Sequence, residues 1–418
     1  MRGIVCRDLR RRCSEEFCSR MSGIWRYQST SIPLRLANAG AVVALPLLAV
    51  EQLGDVAVGG FLVAVALFPS VIAAPLVGAL LDRMRRPRLL LIAGGAITAA
   101  AYLFASQLGT LPIGVIALVL AVAGFVTPAY MGGLSSFAPD NIAPVRKAYA
   151  QDALSYTIAS VGGPALAALA IPLAGSARLA MVLLAGLAFV GAMAGFGIRM
   201  HPKEGTVEGL GRTIARGMTY LVKHKPIAIV TTAGTVSQIA GGALGIAAIA
   251  ISLERTGSEA SAAWIVTAYA IGGLAGALFM AIRTWTTRGP VWVMGMGFVA
   301  TGAFLLVAVP ALPVGFTFAG VFISGLFAAP ANAAMMLLRD KESEPNVRSQ
   351  VFTIGAGLRV TAAAIGAAVA GLMAGFDAGW LVAGMAIIWI LSGAILWFFP
   401  NPPARTGIIP VQKGPQAP

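Results

Sequence analysis

The sequence predicts an all-α integral membrane protein whose twelve transmembrane helices form two pseudo-symmetric six-helix bundles. Three observations predict it. Hydrophobic residues make up 58% of the 418-residue chain and charged residues only 11%, at a mean hydropathy of +0.84, far from the roughly 25% charge of soluble domains. The apolar residues fall in runs of the roughly 20 residues that cross about 30 Å of hydrocarbon at 1.5 Å per residue, without the in–out alternation of a membrane barrel. Short motifs also recur between the two halves of the chain.

The spans are expected at about 31–50, 56–80, 88–107, 112–136, 150–172, 178–199, 226–252, 262–282, 290–309, 313–337, 350–374 and 379–399. Charge or turn chemistry separates each from the next. Glu51 to Asp55 ends the first, the Asp82 to Arg88 cluster the second, Gly109 with Pro112 the third, and Asp140 to Lys147 the fourth. Gly175 to Arg178 closes the fifth and a longer basic stretch from Arg199 to Lys225 follows the sixth. In the second half the breaks are Glu254 to Glu259, Arg283 to Pro290, Pro310 to Pro313, Arg339 to Arg348, and Gly375 to Asp377.

The basic residues set the orientation. With a cytoplasmic N-terminus, all of the 30 Lys and Arg except Arg178, Arg255 and Arg359 fall on cytoplasmic segments, the bias that the positive-inside rule describes. Both termini are therefore expected in the cytoplasm, the chain multi-pass in the cell's inner membrane, and the +14 net charge a topological signal. Its scatter over short loops excludes the continuous basic stripe of a nucleic-acid-binding surface.

The first thirty residues hold no apolar core and no cleavable signal peptide. All three cysteines, Cys6, Cys13 and Cys18, lie there without a nearby histidine, which fits neither a disulfide framework nor a complete zinc site. Met21 reads as the start of the functional chain, with residues 1–20 outside it.

Pro128-Ala129 returns as Pro330-Ala331 and Val145-Arg146 as Val347-Arg348, both 202 residues on, and Gly78-Ala79-Leu80 returns as Gly276-Ala277-Leu278. The predicted organisation is a cytoplasmic tail (1–30), a first bundle (31–199), a cytoplasmic linker (200–225), a second bundle (226–399) and a C-terminal tail (400–418). In the linker Leu210, Ile214, Met218 and Leu221 share one helical face, with Arg212, Arg216, Lys223 and Lys225 among the polar positions. This is the pattern of a helix lying on a membrane surface against lipid headgroups.

After the second span comes Gly78-x-x-x-Asp82-Arg83-x-x-Arg86-Pro87-Arg88. With twelve spans in two six-helix halves and a cytoplasmic link, this loop makes residues 22–400 resemble the major facilitator superfamily, and within it the bacterial drug and small-molecule exporters. The resemblance implies a gate. Gly78 admits close helix approach, and Asp82 caps the N-terminus of span eleven, at about Ser349 to Thr353, when the cytoplasmic side is shut. Arg83, Arg86 and Arg88 supply pairing and headgroup charge. In the second half Met280 and Ala281 occupy the aligned positions, so the gate is one-sided. Ser160-Val161-Gly162-Gly163-Pro164 resembles the Gly-Pro helix-bend signature of superfamily antiporters, with Ala167 and Ala168 where the fuller pattern has glycines.

The resemblance also makes spans one, four, seven and ten the cavity walls. Each carries a polar or amphipathic residue, Asn38, Tyr130, Gln238 and Asn332, paired across the repeat. Polar groups inside a bilayer face the bundle interior or an aqueous cavity. Arg359 is the basic residue within a span and the expected counter-charge for neutral or anionic substrates, and Asp152 is the candidate proton carrier. No nucleotide-binding loop, metal cluster or catalytic triad is present in the sequence, so neither an enzyme nor a cofactor is expected. The leading expectation is a monomeric secondary transporter that exports a small amphipathic molecule or drug by proton-coupled alternating access. Uptake of a small metabolite is the alternative, and a non-transporting membrane sensor the third reading.

Overall fold

The computed structural model describes residues 2–174, 176–202, 209–256, 260–282, 289–309, 313–373 and 377–400. The side chains of residues 2–21, including the three cysteines, lie outside the description, as do Arg283, Arg288 and most of the expected C-terminal tail. Among the described residues every regular element is helical.

The N-terminal bundle contains α1 (Arg2–Leu53), α2 (Val56–Arg83), α3 (Pro87–Ala105), α4 (Ile113–Val126), the short α5 (Gly132–Ser135), α6 (Val145–Ala174) and α7 (Ala177–Ala194). The linker helix α8 (Leu210–Lys223) leads to α9 (Lys225–Thr256), α10 (Ala260–Ile282), α11 (Pro290–Leu305), α12 (Val314–Glu342), α13 (Arg348–Leu372) and α14 (Ala378–Ala394). Turn chemistry sets the starts. Pro87 and Pro290 occupy first-turn positions, where their missing N–H costs nothing. Ser176 caps α7 by accepting from the Arg178 amide, and Asp377 caps α14 by accepting from Gly379 and Trp380.

Eleven helices among the described residues are long and apolar enough to cross a membrane. The remaining expected span is α6, whose first half carries Arg146, Lys147, Gln151, Asp152 and Ser155. These include fully buried side chains facing the bundle interior. Two expected boundaries change. The first helix is already packed in the bundle upstream of 31, because Tyr27, Thr30 and Ser31 are buried in the bundle and belong to its interior despite their polarity. The fourth span is interrupted: α4 passes into a 3-10 turn at Thr127–Ala129 and resumes as α5, whereas its repeat partner α12 runs straight through Pro330.

Within the N-terminal bundle α1 packs on α6 and α7, α2 on α4, and α3 on α7; within the C-terminal bundle α9 packs on α13 and α14, α10 on α12, and α11 on α12 and α14. The repeat is visible in how the central helices cross. A Cβ on Gly40 of α1 would come 2.8 Å from the Gly163 carbonyl of α6, and one on Gly163 2.7 Å from the Leu36 carbonyl. At the equivalent crossing of α9 and α13, a Cβ on Gly242 would strike the Ala363 carbonyl and one on Gly366 the Ile239 carbonyl. Backbone-to-backbone contact of this kind is how helices associate where lipid removes the hydrophobic drive.

The bundles meet through α2 with α13, α5 with α13, and α6 with α10 and α12. The linker helix α8 lies beside the ends of α2, α9 and α13. Its inward face differs from the expected one. Thr213, Gly217 and Leu221 point inward, Leu221 packing with Ile227, Val351 and Ile354, while Met218 and Val222 are exposed.

Overpacking in a close crossing costs about 1–3 kcal/mol or more. Gly242→Val and Gly366→Val are expected to lower the thermal midpoint of the purified protein by many degrees, as read by fluorescence-detected size exclusion after heating. Gly186→Val, where a Cβ meets nothing within 4 Å, should leave the midpoint in place.

Candidate functional site

Three buried polar centres stand out among the described residues, one between the bundles and one within each. The first is at the end bearing the Arg83–Arg88 loop and α8, called the basic end below. Helix α13 starts after Val347, which has no side-chain cap to offer. Asp82, at the last turn of α2 and 3% exposed, fills that role from the other bundle. Its Oδ1 accepts from the Ser349 amide at 3.0 Å and its Oδ2 from the Gln350 amide at 3.1 Å, against the positive end of the helix dipole. Gly78 makes this approach possible, since a Cβ there would lie 2.7 Å from the Gln350 Cα. Around it, the Ser136 and Ser349 hydroxyls bond at 2.9 Å and the Tyr149 and Phe352 rings stack at 5.6 Å. Arg83, Arg86 and Arg88 are exposed on the rim. Tyr220 of α8 donates to the Glu342 carbonyl at 2.7 Å, and Arg348 pairs with Asp340 at 3.1 Å.

The second centre is inside the N-terminal bundle and corrects two expectations. Arg35, read in the sequence with the basic tail, is fully buried on α1. Asp152 is not a lone acid: its carboxylate pairs with Arg35 at 2.7 Å, with both side chains completely shielded. The Arg35 guanidinium also donates to the Asp152 carbonyl at 3.2 Å, the Met131 carbonyl at 3.3 Å and Ser135 Oγ at 3.0 Å, and bonds Ser155. It lies 3.7 Å from the centre of the Tyr156 ring, while the Tyr27 hydroxyl bonds Asp152. Removing either charge would leave the other buried and uncompensated.

The third centre is in the C-terminal bundle. Arg359 reaches from α13 to α12, its Nη2 donating to Asn332 Oδ1 at 2.7 Å. Asn332 Nδ2 is held by the Ala328 carbonyl at 2.9 Å. Arg359 is not the one basic residue within a span, because Arg339, assigned by sequence to a loop, is 2% exposed on α12.

The other expected wall residues divide. Tyr130 is fully buried, its hydroxyl shared with Thr127 at 2.9 Å and Thr98 at 3.2 Å and donated to Asn38 at 3.5 Å. It therefore packs in the N-terminal core and not on an open wall; Asn38 stays partly exposed. Gln238 is partly exposed on α9. Gly163 forms the α1–α6 crossing, Gly162 abuts Leu36, and Pro164 follows without ending α6. Among the described residues no cluster of His, Cys, Asp and Glu is arranged to hold a metal.

Sequence reasoning missed Arg35, Arg339 and Tyr156. The available signal was position: Arg35 lies four residues inside an expected span, between apolar leucines, and Arg339 follows the apolar run from Ala333 to Leu338.

The chain matches the Major Facilitator Superfamily over residues 30–241 and again over 230–418, one match per bundle. It is 23% identical over 399 residues to the uncharacterised MFS-type transporter y4rN of Sinorhizobium fredii, covering 92% of this chain and 95% of that one. Its fold resembles that of a bacterial homologue of the iron transporter ferroportin in an outward-facing state, with a TM-score of 0.72, 14% identity, and coverage of 90% of this chain and 99% of the other. It also resembles the proton:xylose symporter XylE, with a TM-score of 0.69, 14% identity, and coverage of 91% and 97%. Two matched halves, the twelve-helix order and the inter-bundle cap together place it: the chain belongs to the Major Facilitator Superfamily of membrane transporters.

Proposed function

We propose that this protein is a proton-coupled exporter of a small amphipathic molecule, working by alternating access in the plasma membrane with its basic end and both termini in the cytoplasm. The observation that carries the reading is the cap of Asp82 on α13. It joins the two bundles at the basic end, so it exists only while that end is closed, and a carboxylate at a helix N-terminus contributes about 1–2 kcal/mol. That is enough to bias a two-state equilibrium about fivefold to thirtyfold. In this reading the closed cytoplasmic seal corresponds to an outward-open state, and Asn38, Gln238, Asn332 and Arg359 border the substrate path between the bundles. The basic face of α8, with Met218 and Val222 exposed beside it, rests on lipid headgroups and covers the seal.

Proton coupling is assigned to Asp152. Because its partner Arg35 is buried, protonating Asp152 strands a guanidinium in the low-dielectric interior. Uptake of a proton there is therefore linked to a change in how the N-terminal bundle meets the other half, through α6, which carries Asp152 and packs on α10 and α12. The protein is read as acting as a monomer, each chain holding both halves of the path.

Three tests follow. Asp82→Asn should keep the protein in the membrane while electron-resonance distances across the basic end shift toward opening; unchanged distances and transport would reduce Asp82 to an interfacial residue. Asp152→Asn should destabilise by about 3–5 kcal/mol and abolish uphill transport, with Arg35→Gln/Asp152→Asn recovering folding in thermal assays but not coupling. Proton-driven accumulation that survives in the double variant would remove Asp152 from the coupling path. Cysteines at Gly54 and Gly109 should react with an impermeant thiol reagent from outside intact cells and one at Arg85 should not; the reverse pattern would invert the topology. Proteoliposomes sorted by orientation, with an imposed pH gradient and a compound panel, decide export against uptake.

A further inference from the structure

Arg339 and Arg359 present a problem that the gate and the proton site leave unsolved. On α12, Asn332, Met335 and Arg339 lie on one face, three and four residues apart; on α13, Gly355 and Arg359 oppose them. Arg359 donates to Asn332 and lies 4.0 Å from the Met335 sulfur. Arg339 sits about one turn nearer the basic end. Its guanidinium fits beneath Gly355, where a Cβ would come 2.6 Å from its Cζ, and its Nη2 is 3.8 Å from where a Cβ on Gly234 of α9 would stand. Only glycine at 355 leaves room for that guanidinium.

The contrast is with Arg35. There the bundle supplies a carboxylate, carbonyls and hydroxyls around a buried guanidinium. Arg339 is equally buried, yet its Nε and Nη2 have no hydrogen-bond partner among the described residues, and no described carboxylate pairs with it or with Arg359. The two cations are also close enough to repel each other electrostatically. Tyr156 of α6, whose ring holds Arg35, lies within electrostatic reach of both, so this charge sits where the two bundles face each other. Buried positive charge without a counter-ion is costly, and arginine forks match the oxygen pairs of carboxylates and phosphates.

We propose that Arg339 and Arg359 form an anion site between the bundles, in which Arg359, steadied by Asn332, binds a small organic oxyanion, a carboxylate or phosphate monoester, and Arg339 stands behind it as the second positive charge. The site rests on the transport reading for its role, because its occupant is then the exported molecule. It narrows the substrate class from amphipathic molecules in general to organic anions. Anion arrival neutralises the buried charge on the C-terminal side, next to the Tyr156 ring that contacts the Arg35–Asp152 pair, and so couples the two bundles electrostatically.

The full chain in phosphatidylcholine nanodiscs, free of anionic headgroups, is titrated with phthalate and phenyl phosphate, with benzamide as the neutral comparison. Thermal midpoint and tryptophan fluorescence are the readouts. Both anions should raise the midpoint and benzamide should not. Apparent affinity should fall at least tenfold in Arg359→Gln and several-fold in Arg339→Gln, with partial retention in Arg339→Lys. Without anion, Arg339→Gln should melt at or above the parent temperature, unlike Arg35→Gln, since it removes a charge that nothing balances. Anions that leave the parent midpoint unmoved, or stabilise both glutamine variants as well as the parent, would overturn the site. So would an Arg339→Gln protein as unstable as Arg35→Gln, which would make Arg339 a structural residue. If Arg339→Gln does not fold, Arg339→Lys and Arg359→Gln still carry the affinity test. A gain from phosphatidylglycerol nanodiscs that Arg359→Gln removes, without any gain from the soluble anions, would make the occupant a lipid headgroup and overturn the substrate assignment. Flux of neutral compounds with no anion binding would sink this site and leave the transporter reading standing. Anion binding with no flux of any compound would do the reverse.

Discussion

A charge placed inside a membrane protein has to be neutralised by the protein itself, because hydrocarbon offers it nothing, and the rest of this structure is organised around where that neutralisation is complete. At Arg35 it is nearly so: one carboxylate, two carbonyls, two hydroxyls and an aromatic face converge on a single guanidinium. This cluster ties α1 to α6 and to the segment around Met131 and Ser135. It accounts for the polar first half of α6, which is hydrophilic by composition yet packs at the centre of the bundle.

Asp82 follows the same rule between bundles. Its negative charge is balanced by the free amides at the start of α13, a partner belonging to the other half of the molecule. An interaction inside one bundle stabilises that bundle in every state. One between bundles stabilises only the state in which they touch, so the cap at Asp82 reports directly on whether that end is open or closed. Gly78 is needed for the second role because the cap requires α2 to reach the backbone of α13.

The glycine crossings explain why two copies of one pattern remain two rigid bodies. Gly40 with Gly163, and Gly242 with Gly366, bring backbones into contact at matching places in each half, so each bundle is locked about its own central pair. Between bundles the contacts are fewer in kind: the cap, a serine pair, an aromatic stack and the meeting of α6 with α10 and α12. Motion is therefore expected at the interface between bundles and not within them.

Much of this was legible in the sequence. Span number, the repeat and the family follow from hydropathy runs, motif spacing and the Asp82 loop, because bilayer thickness and backbone hydrogen bonding act on the chain locally and leave a one-dimensional trace. Asp82 and its partner at Ser349 were also legible, since helix capping is local chemistry at both ends and the loop motif supplied the partner. The buried arginines were not. Read along the chain, Arg35 belongs with a basic tail and Arg339 with a basic loop; only packing shows that polar residues from 27 to 31 continue a buried helix and that Gly355 leaves space for a guanidinium. Tyr130, expected on a cavity wall, instead sits in the turn between the two helical pieces of the fourth span and is buried in the core. The sequence alone determined how many helices there are, in what order and of which family. Tertiary structure decided which charges are paired and which are left open, because neutralisation depends on distances between helices that, as for Arg35 with Asp152 and Asp82 with Ser349, are 117 and 267 residues apart in the chain.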